Sequence, residues 1–99
     1  MIKITDFLVT DYDMRQISLM KELVDSYEKK ELDLITLINK LRALLDCLQN
    51  VNIEWKQCFH ENWFTLEQIY AVSLDESKPV SEYNDYLIEP IANIIKLLN

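Results

Sequence analysis

His60 is the only histidine of the chain, and Cys58 stands two residues before it, with Cys47 on the far side of a short connection. Such a trio invites a metal-site reading. Residues two apart on a helix, however, point about 200° apart, which is poor geometry for ligating one ion. The run His60-Glu61-Asn62-Trp63-Phe64 also lacks the second histidine that a helical zinc-protease motif places four residues on. Two ordinary helix-flank thiols are therefore expected, although an antiparallel hairpin would bring Cys47 and Cys58 level and leave a bridge open. Catalysis finds equally little material. Glu54 with Glu61, or Glu82 with Asp85, has the spacing of any solvated helix face, and a working acid or base needs a positioned partner and a shifted pKa. Glycine is absent, where ordinary usage would place about seven. That excludes a P-loop, a dinucleotide fingerprint and a glycine-flanked serine elbow. No catalytic residue, metal or cofactor is expected, and the chain is read as a non-enzyme.

Binding is better represented. In the stretch from Ile53 to Ala71, Trp55, Phe59, Asn62, Trp63, Leu66, Ile69 and Tyr70 gather on one side at 100° per residue. Phe64 falls about 160° from the centre of that side, among Gln57, His60, Glu61, Glu67 and Gln68. An aromatic rimmed by acids and amides has the composition of an interface anchor. The plainer alternative is that the N-terminal arm or another helix covers it. The partner-binding set expected from charge and helix geometry is Phe64, Glu61, Glu67, His60, Gln68, Asp75, Glu76, Glu82 and Asp85. The aromatic stripe itself reads as core.

These residues need helices to hold them. Ile2 to Val9 fit a short strand, an extended arm or a first half-turn. Asp13, with Gln16 three residues on, has capping-box form for a helix reaching Lys29 or Lys30, inward at Ile17, Met20, Leu23, Val24 and Tyr27. Asp33 caps a second helix, with Leu32 and Leu37 placed as a hydrophobic staple and a core face of Leu34, Leu37, Ile38, Leu41, Leu44, Leu45 and Leu48. Gln49-Asn50-Val51-Asn52 ends it: Asn50 takes the left-handed position and Asn52 caps the third helix, from about Ile53 to Leu74. So short a connection makes an antiparallel hairpin. After the loop Asp75-Glu76-Ser77-Lys78-Pro79, Ser81 caps a last helix, inward at Leu87, Ile88, Ile91, Ile94, Ile95 and Leu98 and kinked by Pro90. The expected fold is all-α, a small antiparallel bundle of about four helices in one domain, residues 1–99.

The net charge is -7, and about half of the 99 residues are apolar. Glu54 to Glu89 carries eight acids (Glu54, Glu61, Glu67, Asp75, Glu76, Glu82, Asp85, Glu89) against Lys56 and Lys78. This opposes direct contact with nucleic acid or an anionic membrane and suits a basic partner, unless the acids merely keep the chain soluble. No stretch approaches the ~20 apolar residues of a membrane span, and no secretory apolar run precedes the first acid, so the cytoplasm is the expected address. There both thiols would stay reduced.

Leu41, Leu44-Leu45 and Leu48, followed by Glu54-Trp55, Phe59, Trp63, Leu66-Glu67 and Ile69-Tyr70-Ala71, form a pattern over residues 30 to 75. It resembles small acidic helical immunity proteins of bacterial contact-dependent growth inhibition and related polymorphic toxin systems. The resemblance implies a cytoplasmic inhibitor that binds and neutralises one cognate basic protein toxin, often a nuclease. Toxin-contacting surfaces in such families are particular to each pair, so the resemblance assigns no interface residue. The competing expectation is a non-catalytic regulatory or scaffold protein that acts through homo-oligomerisation or a host protein partner.

Overall fold

The computed structural model describes residues 2–99. They form a 3-10 turn at Ile4–Asp6, α1 (Asp11–Glu28), α2 (Leu34–Cys47), α3 (Ile53–Asp75), a second 3-10 turn at Val80–Tyr83, and α4 (Asn84–Leu98). There is no strand among the described residues. The Ile4–Asp6 turn is closed by the Asp6 carboxylate, which accepts from the Lys3 N–H at 2.8 Å, and it buries Ile4.

Local chemistry sets the helix starts. The Asp33 carboxylate accepts from the Thr36 N–H at 3.0 Å, and Asn52 Oδ1 accepts from the N–H groups of Glu54 (2.9 Å) and Trp55 (3.2 Å). Each satisfies donors that the first helical turn leaves without a partner. The start of α1 corrects the sequence expectation. Thr10, not Asp13, is the cap: its hydroxyl accepts from the Asp13 N–H at 3.1 Å. Asp13 is fully buried. Its two oxygens instead accept from the Gln49 N–H at 2.9 Å and the Asn50 N–H at 2.8 Å, so a carboxylate of α1 organises the connection between α2 and α3.

The helix ends hold a second correction. Asn50 is not left-handed; the positive-φ residues are Lys30 (63°) and Ser77 (53°). Each follows a helix and completes the same motif. After α1, the Lys30 N–H donates to the Tyr27 carbonyl (3.0 Å) and the Glu31 N–H to the Ser26 carbonyl (2.9 Å). After α3, the Ser77 N–H donates to Leu74 (3.1 Å) and the Lys78 N–H to Ser73 (2.9 Å). These are Schellman ends, with lysine and serine where glycine is usual.

Consecutive helices pack together and α4 closes back on α1. The arrangement is antiparallel: the start of α1 meets the end of α2 through Asp13. The Trp63 indole N–H of α3 reaches the Ile38 carbonyl of α2 at 2.8 Å, and the Trp55 indole N–H reaches the Leu97 carbonyl near the end of α4 at 2.7 Å. Both tryptophans are buried. Burying an indole with its N–H unpaired would cost roughly 1–3 kcal/mol, so these bonds are what admit the rings to the core. Phe7 packs edge-on to Trp55, which in turn lies 5.4 Å from Phe59, centroid to centroid.

Two expectations for the last helix fail. Ser81 does not cap it; the Val80–Tyr83 turn runs directly into α4, with Tyr83 at the cap position and no side-chain cap bond. The inward face is Leu87, Pro90, Ile91, Ile94, Leu97 and Leu98, whereas Ile88 is 67% exposed and Ile95 36% exposed. The helix continues through buried Pro90 and is bent, as its missing donor requires. The fold is thus an all-α bundle of four helices.

Candidate functional site

On α3 the aromatic core register leaves a complementary outward strip. His60, Glu61, Phe64, Glu67, Gln68 and Asp75 are all exposed, and at 100° per residue Glu61, Phe64, Gln68 and Asp75 lie within about 60° of one another. Phe64 is 45% exposed, so neither the N-terminal segment nor another helix covers it. Its ring lies nearly parallel to that of His60, 9° apart in plane with centroids at 6.3 Å, and His60 also lies 5.5 Å from Trp63. The histidine is therefore a support, wedged between a core indole and the exposed ring. No hydrogen bond joins it to a carboxylate among the described residues.

Toward α2 the strip borders a hollow of about 540 Å³ between Arg42, Asp46, Lys56, Gln57, His60 and Glu61. Its one guanidinium is already engaged. Arg42 pairs with Asp46 at 3.1 Å and sits 5.0 Å from the Trp63 ring centroid. The α2 border of the Phe64 face therefore presents a neutralised pair.

The remaining predicted residues gather at the other end. Asp75 ends α3, Glu76 follows it, Glu82 lies in the 3-10 turn and Asp85 in the first turn of α4. At 1.5 Å per residue, Glu76 is about 18 Å along the helix axis from Phe64. The nine residues thus form two clusters on an elongated molecule, 43 Å in its longest dimension. Glu76 is less available than the rest. It accepts a hydrogen bond from the Tyr83 hydroxyl at 2.6 Å and lies 3.4 Å from the Lys78 ammonium. The Tyr83 bond, more than the lysine, holds the Glu76 carboxyl below its ordinary range, and the same bond pushes the Tyr83 hydroxyl up to about 12. Glu76 thus tethers the turn to α3, leaving Asp75, Glu82 and Asp85 as the acids at this end outside any ion pair among the described residues.

The groups considered for chemistry are placed apart. Cys47 is exposed at the end of α2, Cys58 is half-buried, and both are free thiols. Asn62 turns inward beside Cys58, donating to its carbonyl at 2.9 Å and accepting from Asn93 of α4 at 3.1 Å. No group of three or more His, Cys, Asp or Glu side chains is placed to hold a metal ion among the described residues.

One feature was hidden from periodicity. Between the α1–α2 junction and α4 runs an open groove of about 790 Å³, floored by Leu32, Leu87, Ile88, Ile91, Ala92 and Ile95 and edged by Glu28, Lys30, Glu31 and Asp33. Tyr27 lines it as well, its hydroxyl pushed up by burial and by neighbouring Glu28. Its signal in the sequence is the excess of apolar residues on α4, more than one buried face needs.

No protein-family model matches the chain, nor does any curated protein or solved structure. No helix among the described residues is long and apolar enough to cross a membrane.

Proposed function

We propose that the protein works by binding, without catalysis: it captures a basic protein partner, and in its specific form it is a cytoplasmic immunity protein that neutralises a cognate toxin of the nuclease class. The observation that supports this reading is Phe64, left half-exposed on the outer side of α3, braced by His60 and set among Glu61, Glu67 and Gln68. Aromatic anchors of this kind, ringed by polar groups that exclude water, carry a large share of binding energy in protein interfaces. The acids would steer a basic surface toward the anchor and hold the groove that nucleic acid would otherwise occupy. Inhibition is then occlusion and needs no group with a perturbed pKa.

A photo-crosslinking amino acid at Gln68, beside the anchor, tests this in the source cell. The expected adduct is a basic toxin domain, with adduct yield falling about tenfold or more in Phe64→Ala and thermal stability little changed. An adduct with a second copy of the chain would sink the reading in favour of a scaffold. Thermal stability lowered by several kcal/mol in Phe64→Ala with adduct yield retained would make Phe64 a packing residue.

A further inference from the structure

The groove beside α4 shares no residue with the Phe64 strip, although it borders the elements that carry Glu82 and Asp85. Its lining comes from the end of α1, the α1–α2 junction, the 3-10 turn before α4, and α4 itself; α3 contributes none of it. Along α4, Asn84, Leu87, Ile88, Ile91, Ala92 and Ile95 recur at three- and four-residue steps and cover about 16 Å of helix axis. From Leu87 to Ile95, about two helical turns of apolar side chains line the trough, with Leu87 and Ile91 buried at its base and Ile88 the most exposed of its isoleucines. The opposite lip is acidic. Glu28 and Glu31 stand there with Lys30, and neither acid is in an ion pair among the described residues, while the Asp33 carboxylate is taken up by the Thr36 N–H at the start of α2. The nearby Lys29 is turned to Asp25, 2.9 Å away.

We propose that this groove is a docking site for one amphipathic helix of a protein partner, apolar along an i, i+3 or i+4, i+7 stripe and carrying Lys or Arg beside that stripe. Two turns of apolar trough accept two turns of apolar helix face, the recurring helix-in-groove mode of recognition. The uncompensated acids on one lip select the charge of the occupant. They also disfavour a second copy of this chain, which would bring Glu28, Glu31 and Asp33 against a molecule of the same net charge of -7. The site does not rest on the Phe64 face, so either can fail alone.

The test uses a fluorescein-labelled synthetic helical peptide with leucines on one stripe and lysines flanking it. Its counterpart has every lysine replaced by glutamate, and binding to the full chain is read by fluorescence anisotropy. The lysine peptide is expected to bind, and the glutamate peptide to bind at least about tenfold more weakly. Ile88→Glu should lower affinity for the lysine peptide by about tenfold or more, while Leu19→Ala, at an exposed leucine of α1 outside the groove, leaves it within about twofold, with helicity checked by circular dichroism. Ile88→Glu separates the site from diffuse attraction, because it adds a negative charge and would strengthen non-specific binding of a basic peptide. Ile95→Glu, at the other exposed isoleucine of the groove, is the second variant should Ile88→Glu fail to fold. Equal binding of both peptides, no binding of either, or an unchanged affinity in the glutamate variants would overturn the proposal. So would self-association of the wild-type chain that Ile88→Glu abolishes, since the groove would then belong to a second copy.

Discussion

At the scale of the residue, Asp13 carries a structural duty that its sequence context disguises. Followed by Gln16, it looks like the start of a capping box, and the first helix does begin close by. Yet Thr10 is the cap, and the Asp13 carboxylate is fully buried and spent on the N–H groups of Gln49 and Asn50. No local pattern reveals a bond made across more than thirty residues. Its consequence is testable. Asp13→Asn keeps the size but offers one accepting oxygen and an NH2 group, which cannot accept from a backbone donor. At least one of these part-buried N–H groups then loses its partner and meets another donor. The substitution should destabilise the fold by roughly 1–3 kcal/mol, read as a lower urea midpoint with the same slope. A change below about 0.5 kcal/mol would mean that water satisfies those donors. Phe64 is the opposite case: its exposure was legible from helical phase alone, because a regular 23-residue helix preserves that phase along its length.

At the scale of the element, the second and third helices were readable nearly to their ends, since Asp33 and Asn52 are caps by local chemistry and the leucine and tryptophan registers are unbroken. The last helix was not. Its apolar arc is wider than the face it buries, so periodicity finds the inward side but not its limits. Periodicity places Ile88 and Ile95 in the core and leaves out Leu97, which is fully buried. Tertiary contact makes the choice: Trp55 takes the Leu97 carbonyl, and buried Pro90 bends the helix. The same ambiguity hid the groove, because residues assigned to the core are unavailable as a surface. Helix termination was misplaced for a related reason. In a chain without glycine, asparagine is the best local candidate for a left-handed position, yet the packing of α1 and α3 imposes that conformation on Lys30 and Ser77. An L-residue with a Cβ pays roughly 1–2 kcal/mol there. Ser77→Gly removes that strain but adds freedom to the unfolded chain, so a net gain of about 0.5–1 kcal/mol is expected, visible as a higher melting temperature. Ser77→Ala, which keeps the Cβ, should give no such gain. If glycine is neutral or destabilising, the Ser77 side chain contributes more than the backbone strain costs.

At the scale of the whole molecule, charge distinguishes the two kinds of assembly open to this bundle. The radius of gyration is 13.6 Å, while the screening length is about 30 Å at 0.01 M salt and about 3 Å at 1 M. At low salt, therefore, one copy meets the field of the entire net charge of -7 of another; at high salt only neighbouring groups interact. Self-association through exposed Tyr86, Ile88 or Phe64 is opposed in the first condition and released in the second. Capture of a basic partner has the opposite dependence, because the attraction that steers it is what salt removes. Sedimentation velocity should accordingly find a monomer at 10 mM salt, with any dimer growing as salt rises. Association with a lysine-rich partner should slow over the same range. A stable oligomer at 10 mM salt would mean that apolar contact between copies outweighs the full charge repulsion, and the bundle would then be a building block of an assembly. A low-salt monomer whose encounter with basic protein is slowed by salt is the outcome that capture of a basic partner requires, because it shows association steered by the net negative charge.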